Sequence, residues 1–170
     1  MCIRDRAWSA DCIGYPAGDL QPALAELIRV VKPGGRFFLL GWSSQQFLPG
    51  YPALEARLSA TCSGYLPFLR GKRPEENFMR ALGPLWKAGL EEVQAKTFLG
   101  EVRTPLATGI RTAMASLFEM LWGTHQPEAL PEDREAYERL CRPDSPEFIL
   151  DLPDYYGFFT YTLFCGRVAK

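Results

Sequence analysis

Between residues 20 and 40 the chain changes its apolar period abruptly, and few folds admit that change. Leu20, Leu24, Leu27, Ile28 and Val31 recur at helical spacing and form one apolar stripe, with Glu26, Arg29 and Lys32 off it. Asp19 stands where an N-cap belongs, and Pro22 is tolerated in a first turn. Lys32 suits the carboxyl end of the helix dipole, and Pro33 cannot continue the helix. Gly34-Gly35 supplies the positive-φ residues of a tight exit. Phe37-Phe38-Leu39-Leu40 follows at once and is closed by Gly41. An unbroken apolar run of strand length is the pattern of a strand buried on both faces, as in a parallel sheet. Ala7–Gly14 (AWSADCIG) reads as a short strand running into a loop, so residues 7–42 make strand, crossover helix, strand. The fold class is α/β.

The remaining segments are weaker. Ala53–Leu66 carries Leu54, Leu58, Cys62, Tyr65 and Leu66 at helical spacing, and Glu75–Gly89 reads as a further helix. Val93–Leu99 reads as a strand. Leu106–Trp122 holds the longest stripe, Leu106, Ile110, Met114, Leu117, Phe118 and Leu121. Gln126–Asp154 is Pro-rich and acidic, with room for two short helices. Gly157–Val168 alternates Phe, Thr, Tyr, Thr, Leu and Phe at the period of a strand.

Composition removes several classes of function. The chain has 170 residues, enough for one domain with a real core. Its 19 Lys and Arg against 20 Asp and Glu leave a net charge of −1, which argues against nucleic-acid binding by phosphate neutralisation. No apolar run reaches the about 18 residues of a membrane span, and no signal peptide is visible. The five Cys form no CxxC pair and there is a single His, which disfavours a closed zinc site or a disulfide scaffold. Reduced thiols in a cytoplasmic protein are the expectation.

Met1-Cys2-Ile3-Arg4-Asp5-Arg6 has neither periodicity nor cap logic and resembles the translation of a sequencing-library adapter. On that reading residues 1–6 are a scar outside the fold, and 7–170 are the carboxyl-terminal part of a longer protein. The alternative is a genuine but disordered terminus.

The run Ala25–Leu40 (AELIRVVKPGGRFFLL) resembles class I S-adenosylmethionine-dependent methyltransferases, where such a run joins the helix after the fourth strand to the fifth strand. AWSADCIG stands where the family's fourth strand carries a cofactor-facing loop. Leu85–Val93 (LWKAGLEEV) stands where the last crossover helix enters the sixth strand, and Phe159–Phe164 stands at an antiparallel seventh. The resemblance implies the second half of a Rossmann-like sheet, strands four to seven, with cap insertions at about 43–74 and 100–156. The family holds its cofactor mainly through a Gly-rich turn after the first strand and an acidic residue ending the second. No G-x-G-x-x-G or G-x-G-x-G occurs here.

Ligands of an open parallel sheet sit at the carboxyl ends of its strands. The resemblance therefore implies that Ser9, Ala10, Asp11, Cys12 and Ile13 line part of the S-adenosyl-L-methionine site, largely through backbone. An ordinary strand exit is the other reading. Trp42 faces the pocket as a substrate contact or is plain packing. Tyr155 and Tyr156 either stack on a small-molecule acceptor or anchor the last strand. His125 is a base for the acceptor or, more commonly for such a residue, a solvated loop side chain. Arg70, Lys72 and Arg73 are a solvated loop sooner than a phosphate clamp. Cys12 by default is a small hydrophobe.

The implied function is methyl transfer from S-adenosylmethionine to a small molecule by the full-length parent, with this fragment inactive alone. The transfer is an in-line displacement at a sulfonium, needs alignment and a dry site, and names no universal catalytic residue. The alternative is a non-catalytic α/β domain that binds a nucleotide or a partner. A nicotinamide-dependent reductase is a third reading, disfavoured because the KPGG run is foreign to it.

Overall fold

The structure, a computed structural model, describes residues 4–12, 20–62, 70–71, 73–123 and 129–170. The strand expected over 7–14 is β1, Arg4–Ala10. Arg4, Asp5 and Arg6, left outside the fold by the sequence reading, therefore belong to this strand. Lys32 and Asp5 form an ion pair across to the next strand. Helix α1, Leu20–Val30, presents Leu20 and Leu24 to the core as the stripe requires. Asp19 and the Gly14–Gly18 loop lie outside the described residues.

Strand β2, Val31–Gln46, starts directly after α1 and pairs parallel with β1, with Ala7 opposite Phe37 and Ala10 opposite Leu40. The KPGG run is a bulge within it, because Arg4 faces Val31 while Arg6 already faces Arg36. Only one of the two glycines is left-handed: Gly34 has φ +80°, and Gly35 is not among the positive-φ residues. Gly35 is required by close approach instead. A Cβ there would lie 2.7 Å from the Asp5 carbonyl oxygen and 2.9 Å from that of Lys32.

The sheet has four strands in the order β1-β2-β4-β3, where β3 is Leu90–Arg103 and β4 is Tyr156–Val168. Ser43 reaches Thr160, while Gly157 lies against Gln46, so β4 runs antiparallel to β2. Thr97 bonds Thr162 and Gly166 packs on Leu90, the same opposed order against β3. The last strand is thus inserted between the second and the third. That closure is non-local, and no sequence period announces it.

Two compact units divide the chain. The first holds Met1–Ser44, Pro67–Leu99 and Thr160–Lys170. In its core Phe37 and Leu39 on β2 meet α1, and Ala81, Leu85 and Phe164 complete the cluster. The alternate residues Phe38, Leu40 and Trp42 are only half-buried. The single helix expected over 75–89 is broken into 3-10 turns Pro74–Glu76 and Phe78–Arg80 and helix α3, Leu82–Lys87. Asn77 breaks it: its backbone is extended and its side chain accepts the Met79 N–H, restarting the chain after one turn.

The second unit takes Gln45–Leu66 and Gly100–Phe159, which overlap the two stretches read as insertions. It contains α2, Pro52–Ala60, α4, Thr108–Phe118, and α5, Pro131–Cys141. The stripe expected to run to Trp122 ends as α-helix at Phe118 and continues as a π-turn, Glu119–Gly123. Ile110 of that stripe is exposed, and Met114, Phe118 and Trp122 are buried. Among the described residues of 126–154 one α-helix forms, followed by the 3-10 turn Ile149–Asp151. Tyr65 and Leu66 lie outside the described residues.

Candidate functional site

Asp11 ends β1 in the left-handed region, φ 45°, where a non-glycine residue is uncommon and Asp among the best tolerated. Its N–H donates to the Leu40 carbonyl at 2.9 Å, and its Oδ1 accepts the Trp42 N–H at 2.9 Å. One residue therefore latches the exit of β1 to the exit of β2. A short polar side chain suits this role because it bonds backbone locally. Strained backbone of this kind concentrates at functional sites.

Around the latch, Ser9 is buried, whereas Ala10, Asp11 and Cys12 are exposed. Trp42 is half-buried and packs edge-on against Tyr161, with ring centroids 5.4 Å apart. The structure thus brings Asp11, expected at the cofactor loop, together with Trp42, expected as a substrate contact, and leaves Ala10, Asp11 and Cys12 exposed. Ile13 and His125 lie outside the described residues, as does Lys72. A larger residue at position 41 would have to displace the Phe78 ring, since its Cβ would lie 2.6 Å from it.

Tyr155 and Tyr156 belong to the second unit and part company there. Tyr155 is 1% exposed and its hydroxyl donates to the Phe47 carbonyl at 3.2 Å. That bond ties the residue before β4 to the chain leaving β2. Burial, and then the Glu55 charge, push its phenol well above the ordinary range, so it stays protonated. Tyr156 is exposed, and its hydroxyl donates to Glu101 Oε1 at 3.1 Å.

Two buried acids escaped the sequence reading. Glu55, 4% exposed, accepts the Phe47 and Leu48 N–H groups, each at 2.8 Å, and the Gln46 amide at 2.8 Å. Asp133, 3% exposed, takes Arg57 side-on, Nε to Oδ2 at 2.9 Å and Nη2 to Oδ1 at 2.7 Å. Both sit on helix faces that look amphipathic and solvated in one dimension. Pro49-Gly50 between Gln46 and Glu55 was the available signal, because a turn there folds α2 back on the β2 exit. No group of three or more His, Cys, Asp or Glu able to hold a metal occurs among the described residues, and Cys62, Cys141 and Cys165 are buried.

The chain aligns over nearly its whole length with solved structures. A candidate type II methyltransferase from Anaeromyxobacter dehalogenans matches 99% of this chain and 67% of its own, at 20% identity and a TM-score of 0.51. The fold is that of the class I methyltransferases. More distant matches are a candidate methyltransferase from Bacillus halodurans (12% identity, 99% of this chain, 66% of that one, TM-score 0.44) and phosphoethanolamine N-methyltransferase 2 of Haemonchus contortus in complex with S-adenosyl-L-methionine (15%, 98%, 33%, TM-score 0.43). The chain spans about two thirds of the first two proteins and a third of the last. No protein-family model and no curated protein matches the sequence. No helix among the described residues is long and apolar enough to cross a membrane.

Proposed function

We propose that this chain is the carboxyl-terminal part of an S-adenosylmethionine-dependent methyltransferase acting on a small molecule, and that its 170 residues are inactive alone. The observation that carries this reading is the Asp11 latch, a strained turn at the carboxyl end of a parallel strand whose neighbour follows the KPGG bulge. A ligand of an open α/β sheet binds at that end. The edge position of β1 agrees: among the described residues it pairs with β2 only, and Trp8 above it is 58% exposed, stacked on Phe38 at 4.3 Å.

Ala10, Asp11 and Cys12 fit one wall of a cofactor site. They are exposed, their backbone is held by Asp11, and the Asp11 carboxylate is partly engaged by Trp42. A second wall with a Gly-rich turn is not in this sequence. When bound, the cofactor supplies an electrophilic methyl group on a sulfonium. This chain's own residues have the lesser tasks of orientation and water exclusion. Asp11 fixes the direction of the turn, and Trp42, half-buried beside it, offers a flat apolar surface.

Calorimetry with S-adenosylmethionine tests the reading on two proteins, the 170-residue chain and the same chain extended upstream by its genomic reading frame. The short chain is expected to show no binding, because most of the groups that would replace water around the ligand are missing. The extended chain is expected to bind. Tight binding by the short chain would refute the partial-site reading. No binding by the extended one would refute the methyltransferase assignment and favour a non-catalytic α/β domain.

A further inference from the structure

A cleft of about 460 Å³ lies in the second unit, between the chain leaving β3 at Thr104 and the 3-10 turn that carries Asp151. Its walls mix apolar and polar surface, with Leu106, Leu150 and Leu152 among them, and its charged groups are Arg111 and Asp151. We propose that this cleft binds a small zwitterion, an α-amino acid with an apolar side chain. The proposal goes beyond methyl transfer and stands independently of it.

The charged pair is held in one orientation. Arg111 donates from Nε to Asp151 Oδ1 at 3.0 Å and from Nη2 to Oδ2 at 2.9 Å. One face of the guanidinium lies on the Phe148 ring, with Cζ 4.8 Å from the ring centroid. Phe148 is itself 1% exposed, so the platform is part of the core. Such stacking and side-on pairing pre-organise the planar fork. Two N–H groups on Nη1 and one on Nη2 remain for a ligand. Asp151 is half-exposed and keeps lone pairs for a donor.

The pair is neutral as a whole, which selects the ligand. A simple carboxylate would gain Arg111 but meet the Asp151 charge, and a simple ammonium would gain Asp151 but meet Arg111. Ammonium and carboxylate on one carbon match both at once, and the side chain then covers the leucines. Thr104 contributes no free donor, because its hydroxyl already bonds the Pro153 carbonyl at 2.9 Å.

Binding of L-leucine to the full chain, followed by calorimetry and ligand-detected NMR, tests this. The comparison ligands are 4-methylpentanoate, which lacks the ammonium, and isopentylamine, which lacks the carboxylate. L-Leucine is expected to bind in the millimolar range and each analogue at least about tenfold more weakly, or 1.4 kcal/mol. Arg111→Gln and Asp151→Asn should each weaken L-leucine by about tenfold or more. Arg111→Lys, which keeps the charge but loses the fork, should also weaken it. Arg139→Gln, on a surface ion pair with Glu147, should leave binding unchanged. Far-UV circular dichroism of the variants separates lost binding from lost folding. Equal affinity for L-leucine and 4-methylpentanoate, indifference to Arg111→Lys, or no saturable binding to the folded chain would each overturn the proposal.

Discussion

Gly34 and Gly35 are adjacent glycines held by different physics, and substitution separates them. Gly34 sits at φ +80° in open space, its nearest neighbour the Lys170 side chain at 3.9 Å. Alanine there incurs the left-handed penalty of about 1–2 kcal/mol, partly offset by about 0.4–1 kcal/mol from a stiffer unfolded chain. Gly35 has no such backbone demand, but a Cβ would meet Val31 Cγ1 at 2.6 Å and the Asp5 and Lys32 carbonyl oxygens at 2.7 and 2.9 Å. Two of the three obstacles are backbone and cannot rotate aside. Overpacking of this kind costs about 1–3 kcal/mol, and the same unfolded-state offset leaves about 1–2 kcal/mol. Alanine alone therefore discriminates poorly between the two sites.

Asparagine discriminates well. It tolerates the left-handed region, so Gly34→Asn should be milder than Gly34→Ala. At position 35 the larger side chain can only worsen the collision, so Gly35→Asn should be at least as harmful as Gly35→Ala, and Gly35→Val worse again. Urea unfolding measures this through the midpoint at constant slope. In a chain of this length each kcal/mol moves Tm by about 2–4 °C. If asparagine rescued position 35 relative to alanine, or if Gly35→Val were neutral, the crowded bulge against β1 would be wrong.

Three further outcomes are expected. Glu55→Ala strands the Phe47 and Leu48 N–H groups and should lower stability by about 2–4 kcal/mol in urea. Glu55→Gln keeps one acceptor oxygen and should lose less, and a loss below about 1 kcal/mol in the alanine variant would show the clamp to be idle. The Arg167 hydrogen bond and charge, with Arg36 beyond them, hold the Glu92 carboxyl below the ordinary glutamate range. Its stabilising effect is thus present above that range, near pH 4.3, and is lost as pH falls through the depressed folded value. Glu92→Gln should flatten the acid limb of the stability curve, salt should do the same in the parent, and an unchanged limb would remove the pair from the account. The β1 edge, which among the described residues pairs with β2 only, should promote concentration-dependent association, and Ala10→Lys should suppress it in light scattering. A monodisperse monomer at high concentration would argue against an unpaired edge.

Local chemistry made much of the first unit legible. The stripe of α1 and the apolar run of β2 are short-range patterns and stand where their residues demand, although the helix ends at Val30, before the stop expected at Lys32-Pro33, and both of those residues lie in β2. The second unit was not legible in the same way. Tyr155 and Tyr156 are neighbours of one residue type, yet Tyr155, just before β4, is sealed in the core while Tyr156, the first residue of the strand, is exposed. Asn77 halted a helix that periodicity favoured, since a local side-chain bond competed with the helical one. Glu55 and Asp133 look like solvated acids until a loop and an arginine close over them.

The sequence by itself determined the strand, helix, strand unit at the start of the chain and the absence of a Gly-rich cofactor turn. Both follow from contacts between residues close in the chain, which composition and spacing expose directly. Only the tertiary structure decided the insertion of β4 between β2 and β3, the crowding that requires Gly35, and the pairing of Arg111 with Asp151 across 40 positions. Each of those depends on which distant segment arrives at a given place. Loop closure and burial settle that for the whole chain at once, and no local period records it.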